Sequence, residues 1–432
     1  FSFFTSPSSP EVYYPLKPAD VLLKKRGDNQ GKSPYTERKD KKSLRSILEE
    51  RCPSLFEGYS TPWWLFNGHM QTLYSILGGS LKSDVVIYYR TYLRLVDGGT
   101  LGLDFTPVEQ SSFPDETPII VVTHGLTGGS HEGYVRAVLG RASTPVEWGG
   151  LGYRAVVVNS RGCAGVPITS QQLYSAGYTD DLRIALIAEP LGLAPYIKFC
   201  RGQVGTKPFP RVPYMGSHML SLFPWDMLKN GHAINSTFLG RNLYARGMGM
   251  SFYKLLKRNA AVLSGKTVVS PPSLAIAEAV STTLKLRFPG LDDFDDAFTR
   301  IAGGVPQDLN FSSYQEYYAW ASSHHVLKDV RRPLLAINAA DDPVIRFVPK
   351  QNRKLGIPGL RSHKYSMTAG LMETSRWTTK PVLEWLDMAG NDFDIKVNAS
   401  DLYICDEGFL REFGRTALGC MEVEGGGIID WS

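Results

Sequence analysis

The sequence predicts an α/β architecture, a mostly parallel sheet covered by helices on both faces. Short β-branched runs of the kind that form buried strands stand at 118–123 (P-I-I-V-V-T), 153–159 (Y-R-A-V-V-V-N) and 333–338 (P-L-L-A-I-N). Segments of helical pattern alternate with them, as expected where crossovers join parallel strands. Two further strand-like segments, 85–96 and 101–106, flank Asp97-Gly98-Gly99, which has the chemistry of a hairpin turn.

Taken in order, residues 1–60 read as an N-terminal extension. Pro7, Pro10, Pro15, Pro18 and Pro34 punctuate it, and only 42–51 has a helical pattern. The bases Lys24, Lys25, Arg26, Lys32, Arg38, Lys39, Lys41, Lys42 and Arg45 face only Asp28, Glu37 and Asp40 there. A solvated, poorly ordered segment is expected, with weak contact to an anionic membrane surface as the sharper alternative. The body of the fold is expected over 61–390, opening on an aromatic, buried-looking run at 61–79. Helices are expected at 134–141 and 376–388, and at 179–188, where Thr179, Asp180 and Asp181 suit a helix start. From about 224 to 326 the pattern turns helical and irregular, with helices at 227–233, 238–257 and 273–286. That insertion stands between sheet strands, where a cap would sit. Residues 391–432 read as a C-terminal tail.

The chain has 432 residues, 43% of them hydrophobic, enough to bury a core. Its formal charge of +5 is small for that length, and no stripe interleaves bases with aromatics, so nucleic acid is not an expected partner. Cys52, Cys163, Cys200, Cys405 and Cys420 fit no zinc or redox spacing and point to reduced thiols in an intracellular, cytoplasmic protein. There is no apolar run of about eighteen residues to span a bilayer, so membrane association would be at a lipid surface. No feature specifies an oligomeric state.

Three loops at strand ends can carry chemistry. His124-Gly125-Leu126-Thr127-Gly128-Gly129-Ser130 follows the run 118–123, and its glycines let the backbone turn so that N–H groups point into a cleft and can stabilise an oxyanion. A phosphate cradle is the alternative, but no G-x-x-x-x-G-K-[ST] or G-x-G-x-x-G is present. Asn159-Ser160-Arg161-Gly162-Cys163-Ala164-Gly165 ends the next run, and Arg161 reads as a structural ion-pair partner. Asn338-Ala339-Ala340-Asp341-Asp342-Pro343 ends the third. An acid there is placed to orient a catalytic histidine, and a simple turn is the plain reading. Asp342, at the Asp-Pro edge, is the preferred acid.

These strings resemble one group of α/β hydrolases. So do N-G-H-M-Q-T at 67–72, Y-T-D-D-L-R at 178–183, P-W-D-M-L-K-N at 224–230, F-D-D-A at 294–297, R-W-T-T-K-P-V-L-E-W-L at 376–386 and C-M-E-V-E-G-G-G at 420–427. The group contains fungal medium-chain fatty acid ethyl ester synthase/esterases, plant embryogenesis-associated proteins and bacterial relatives. The resemblance runs in order over roughly residues 50–430. It implies an α/β-hydrolase fold with an antiparallel N-terminal hairpin and a helical cap insertion. It also implies a serine carboxylesterase or lipase acting on small-molecule medium-chain acyl esters, such as acylglycerols and fatty acid ethyl esters. Transfer of the acyl group to an alcohol is the companion reaction, and neither cofactor nor metal is needed. Asp342 matches the family's carboxylate and Leu126 an oxyanion-hole donor.

One part of the pattern is missing. The nucleophilic serine belongs in Gly-x-Ser-x-Gly at a strand-to-helix elbow, which should fall between the helix at 179–188 and Pro224. That interval contains no such motif, and neither does the rest of the chain. Cys200 follows a short apolar run but has Lys198 where an elbow needs a small residue. Ser217, in Met215-Gly216-Ser217-His218, has no strand before it. Both read as surface loop residues rather than as nucleophiles. His363 is the only histidine after Asp342, so chain order offers it as the base, although no apolar strand is expected before it and no glycine pair flanks it. Family sequence thus stops and resumes twice, across 184–224 and 350–376, as misplaced splice boundaries or out-of-frame stretches would produce. A catalytically impaired protein that only binds a ligand or partner is the alternative function.

Overall fold

The apolar runs form strands, and each strand's burial follows its place in a sheet. The computed structural model describes residues 10–14, 20–23, 41–59, 61–77, 84–114, 117–188, 218–221, 225–266, 273–305, 309–325, 333–346, 359–361, 366–367, 374–375, 377–393 and 402–431. In chain order the strands used below are β1 (Glu11–Tyr13), β2 (Ile87–Leu95), β3 (Thr100–Thr106), β4 (Ile119–Thr123), β5 (Arg154–Asn159), β6 (His218–Ser221), β7 (Leu334–Asn338), β8 (Gly359–Arg361), β9 (Leu402–Ile404), β10 (Leu410–Glu412) and β11 (Arg415–Asp430). The helices are α1 (Leu44–Arg51), α2 (Gly68–Leu77), α3 (Gly133–Ala142), α4 (Asp180–Ala188), α5 (Met227–Asn235), α6 (Arg246–Arg258), α7 (Leu274–Leu284), α8 (Leu291–Phe294), α9 (Tyr314–Ala321) and α10 (Thr379–Asn391). They fall into two units. The smaller takes Phe1–Gly79, Pro213–Trp225 and Ser323–Asn398, and the larger takes Ser80–Val212, Asp226–Ser322 and Ala399–Ser432.

The larger unit is built on a sheet of order β9-β10-β11-β2-β3-β5-β4. The hairpin forms where the turn chemistry placed it, with β2 and β3 antiparallel from Tyr89↔Phe105 to Arg94↔Thr100. Alternate residues of β5 reach opposite faces, as the period of a strand requires. Val156 and Val158 pack with Ile184, Ala185 and Ala188 of α4, while Ala155 and Val157 pack with Val135 and Leu139 of α3. This covering of both faces is what the near-continuous apolar run anticipates. β4 runs parallel to β5 and has no second partner strand among the described residues. Its residues Ile119–Val122 are accordingly only half-buried.

The stretch read as a C-terminal tail carries three strands. β11 pairs along β2 from Cys420↔Leu95 to Val423↔Tyr92, then again from Gly427↔Arg90 to Asp430↔Ile87. The shift between them falls on Glu424-Gly425-Gly426. A Cβ on Gly426 would stand 2.2 Å from the Arg90 carbonyl oxygen, so the glycine run is what this bulge demands.

The helical insertion has its own core. Phe252, Leu255 and Leu256 of α6 pack with Val280, Phe294 and Phe298. Two π-wound turns, Gly240–Ala245 and Asp295–Thr299, interrupt its helices.

The smaller unit has a sheet of order β1-β8-β7-β6, in which β7 is parallel to both neighbours and buried at every position. Arg51 of α1 ties α10 down through Asp387 (2.9 Å) and Asp392 (2.6 Å). The aromatic run 61–79 is less buried than its composition suggests. Trp63 and Phe66 are 68% and 59% exposed while Leu65 is buried. A single 3₁₀ turn, Trp63–Leu65, can direct only about one residue in three inward. The basic segment 24–40 lies outside the described residues. No described helix is long and apolar enough to cross a membrane.

Candidate functional site

In the larger unit the chain leaves β4 at Thr123 and turns at once through His124–Ser130. Thr127 sits at φ +51, a left-handed conformation that a β-branched residue adopts only under constraint. The constraint is visible on both sides of Leu126. The Gly125 N–H donates to the Tyr134 hydroxyl and the Thr127 N–H to the Tyr174 hydroxyl, each at 2.6 Å. The N–H of Leu126 between them has no partner among the described residues, and Leu126 is 40% exposed. A strained loop with one open donor between two occupied ones can offer that donor to a developing negative charge.

His124 is spoken for. Its Nδ1 lies 2.7 Å from the Gly125 carbonyl oxygen, which can only accept, so Nδ1 carries the proton. Its Nε2 accepts the Ser160 N–H at 3.0 Å. Burial pushes its pKa below the ordinary 6.5 and keeps it neutral. With both nitrogens engaged, His124 joins the loops after β4 and β5 and is a positioning residue.

The far end of the loop is anchored through Ser130, which is fully buried. Its hydroxyl donates to Asp104 of β3 and accepts the Trp431 indole N–H at 2.9 Å. Its backbone N–H donates to Asn159 at 3.0 Å, and its carbonyl accepts the Tyr88 hydroxyl at 3.2 Å. Asp104 is held in turn by a two-pronged bond from Arg90 at 2.5 and 2.7 Å. Arg90 and Asp104 face each other directly across β2 and β3. Such a buried pair persists because its geometry is bidentate and its remaining valences are met, here by Ser130 and the Ala164 carbonyl. These residues escaped the sequence reading. The available signal was a charged pair at opposing positions of two otherwise apolar strands.

Arg161 takes the ion-pair role expected of it. It grips Asp181 of α4 at 2.8 and 2.7 Å and also binds Asp97 in the hairpin turn. Cys163 in the same loop is buried, which pushes its thiol up to about 12 and leaves it no thiolate at neutral pH.

In the smaller unit, β7 delivers the Asp341–Asp342 turn. Asp342 is buried, and its Oδ1 accepts the N–H groups of Val344 (2.7 Å) and Ile345 (3.0 Å). The strings N-G-H-M and P-W-D support this turn. A Cβ on Gly68 would stand 1.9 Å from the Asp341 carbonyl oxygen, so only glycine allows α2 so close. The Trp225 indole donates to the Asn338 side chain at 3.1 Å, and the ring of His324 donates to the Trp225 carbonyl at 2.7 Å. The remaining sequence candidates, His363, Cys200 and Ser217, lie outside the described residues, as does the interval 189–217.

No protein-family model and no solved structure matches the chain. Curated proteins do. An abhydrolase domain-containing protein of Dictyostelium discoideum is 29% identical over 318 residues, covering 69% of this chain and 71% of the relative. A monoacylglycerol lipase of Saccharomyces cerevisiae is 24% identical over 425 residues, covering 83% and 87%. The yeast medium-chain fatty acid ethyl ester synthase/esterase 2 is 25% identical over 380 residues, covering 71% and 80%.

Proposed function

We propose that this chain, which belongs to the α/β-hydrolase family, derives from a serine carboxylesterase of lipid-type acyl esters, medium-chain ones foremost. The observation that carries the reading is the open Leu126 N–H in the strained loop after β4. A tetrahedral intermediate of ester cleavage develops negative charge on one oxygen, and a fixed donor is what lowers that barrier. Asp342 is assigned the carboxylate that orients the base and His363 the base itself. The acyl group then passes to water or to an alcohol. The names of the relatives, a monoacylglycerol lipase and an ethyl ester synthase/esterase, support the substrate class.

One observation favours a second reading, a non-catalytic protein on the same scaffold. The chain as it stands has no Gly-x-Ser-x-Gly. In a serine protease, loss of the nucleophile costs on the order of a millionfold in turnover. The test is a serine-directed fluorophosphonate probe alongside release of p-nitrophenol from octanoate, butyrate and palmitate esters. The chain as it stands should neither label nor turn over. A chain whose 184–224 and 350–376 intervals are restored from the sequenced transcript should label and prefer the octanoate. Labelling of the unrestored chain overturns the missing-nucleophile claim, and a silent restored chain overturns the esterase reading.

A further inference from the structure

We propose that the outward face of the helix at 238–258 docks on an anionic lipid surface. The segment, F-L-G-R-N-L-Y-A-R-G-M-G-M-S-F-Y-K-L-L-K-R, is one continuous helix whose Gly240–Ala245 turn is π-wound. It contains the bases Arg241, Arg246, Lys254, Lys257 and Arg258 and no acid. Its inward face is accounted for, since Gly240, Tyr244, Ala245, Gly249, Phe252, Leu255 and Leu256 are buried. Its outward face is not polar, as a solvated helix face should be. Phe238 is 80% exposed, Leu239 48% and Leu243 44%. Phe288, on the turn whose Pro289 and Gly290 pack against Gly249, is 73% exposed.

The charges identify the occupant. Two buried arginines of this unit are matched, Arg90 to Asp104 and Arg161 to Asp97 and Asp181. None of the five bases of this helix is ion-paired to a carboxylate among the described residues. The neighbouring acids Asp292 and Asp293 are engaged instead by Asn235 and the Gly290 N–H. Exposed apolar side chains flanked by unmatched cations are the pattern of a helix lying in a bilayer interface, apolar groups among the acyl chains and bases at the headgroups. A second copy of the chain is a poor occupant, because a symmetric contact would set these cations against their own copies. The lipid-ester reading gives such docking a purpose, but the docking chemistry needs no catalytic group.

The test is flotation of the full chain with vesicles of phosphatidylcholine alone or in equal parts with phosphatidylglycerol. Binding is expected to the anionic vesicles and to weaken with added salt. Arg241→Gln with Arg246→Gln should lower the partition coefficient about twenty-fivefold, at about fivefold per base. Phe238→Ser with Leu243→Ser should lower it at least about tenfold. Trp148→Ser, at a residue 78% exposed elsewhere on this unit, should leave it unchanged. Far-UV circular dichroism of all variants should match the parent, since none of these side chains is buried. Equal binding by parent and helix variants overturns the proposal. So does self-association in the absence of lipid that the same substitutions abolish. Vesicle binding without ester cleavage by the restored chain leaves docking standing and sinks the esterase reading, and cleavage of soluble esters without vesicle binding does the reverse.

Discussion

Replacing Asp295 with asparagine should remove that residue's share of the pH dependence of stability, destabilising the helical insertion at low pH and stabilising it at high pH. Asp295 lies in the F-D-D-A string, in the π-wound turn Asp295–Thr299, and is buried. It accepts the Tyr318 hydroxyl at 2.8 Å and the Thr299 hydroxyl at 2.5 Å. Burial pushes its pKa from 3.8 up to about 7, and the nearby Asp292 adds to the rise, while the two hydroxyls oppose it. Tyr317 and Tyr318 on α9 also face it, and neither ionises in the range concerned. The folded protein therefore holds this proton more tightly than the unfolded chain. Its stabilising effect is complete below pH 3.8 and is lost as pH rises to about 7. A rise of that size corresponds to roughly 4 kcal/mol. Asparagine cannot titrate, and it meets one of the two hydroxyls with the wrong polarity, at a cost of about 1 kcal/mol. The variant should thus be about 1 kcal/mol less stable at pH 4 and about 3 kcal/mol more stable at pH 8. Urea denaturation followed by tryptophan fluorescence at half-unit pH steps measures both curves. Parallel curves for the two proteins would refute the reasoning, because they would show Asp295 ionised in place.

Other perturbations test the two loops. Gly68→Ala places a methyl group against the Asp341 carbonyl and should cost about 1–3 kcal/mol by thermal denaturation; an unchanged midpoint would mean the approach is not close. Ser130→Ala leaves the Trp431 indole N–H and an Asp104 oxygen without their shared partner, so a loss of about 1–3 kcal/mol and altered Trp431 emission are expected. His124 has a lowered pKa, so the unfolded chain binds its proton more readily and stability should fall as pH drops below 6.5. His124→Gln should flatten that slope, and a slope that survives the substitution assigns it elsewhere. Finally, β4 is half-buried, apolar in sequence and at the edge of its sheet among the described residues, so the chain as it stands should be less soluble than the restored one on expression. Equal soluble fractions and equal melting behaviour would contradict this.

Much of this was legible in the sequence because strand interiors and turn chemistry are local. The runs at 118–123, 153–159 and 333–338 each became a strand, and Asp97-Gly98-Gly99 became the hairpin turn. Arg161 was legible because an arginine in a strand-end loop needs a carboxylate, and Asp181 opens the next helix. The strands of the C-terminal stretch were missed. Their glycine run reads as a flexible tail until β2 is known to lie beside it, where it becomes the bulge opposite Arg90. The anchor of the loop after β4 was missed for the same reason. Ser130, Asp104 and Trp431 are far apart in sequence, and nothing local couples them.

The comparison of β4 with β5 bears on why the chain lacks its serine. Both are short β-branched runs, I-I-V-V-T and R-A-V-V-V-N, with the composition of interior strands. Residues Ala155–Val158 of β5 are at most 4% exposed, whereas Ile119–Val122 of β4 are only half-buried. The difference lies not in β4 itself but in the partner its composition calls for. β6 likewise forms the edge of the sheet in the smaller unit. On the esterase reading proposed above, the interval between α4 and β6 should supply an apolar strand and the serine at its end. Its sequence, with Pro208, Pro210 and Pro213 and the bases Lys198, Arg201, Lys207 and Arg211, supplies neither. A protein that had merely given up catalysis would be expected to lose the nucleophile and keep the strand, because the strand holds the sheet together whether or not the serine is present. Absence of both sequence patterns from one stretch, with family sequence intact on either side, is what misplaced splice boundaries predict. The second interruption, around His363, differs, because β8 (Gly359–Arg361) pairs with β7 there although no apolar run precedes His363 in the sequence. Two independent catalytic losses, each confined to one stretch beyond which family sequence resumes, form the less economical account.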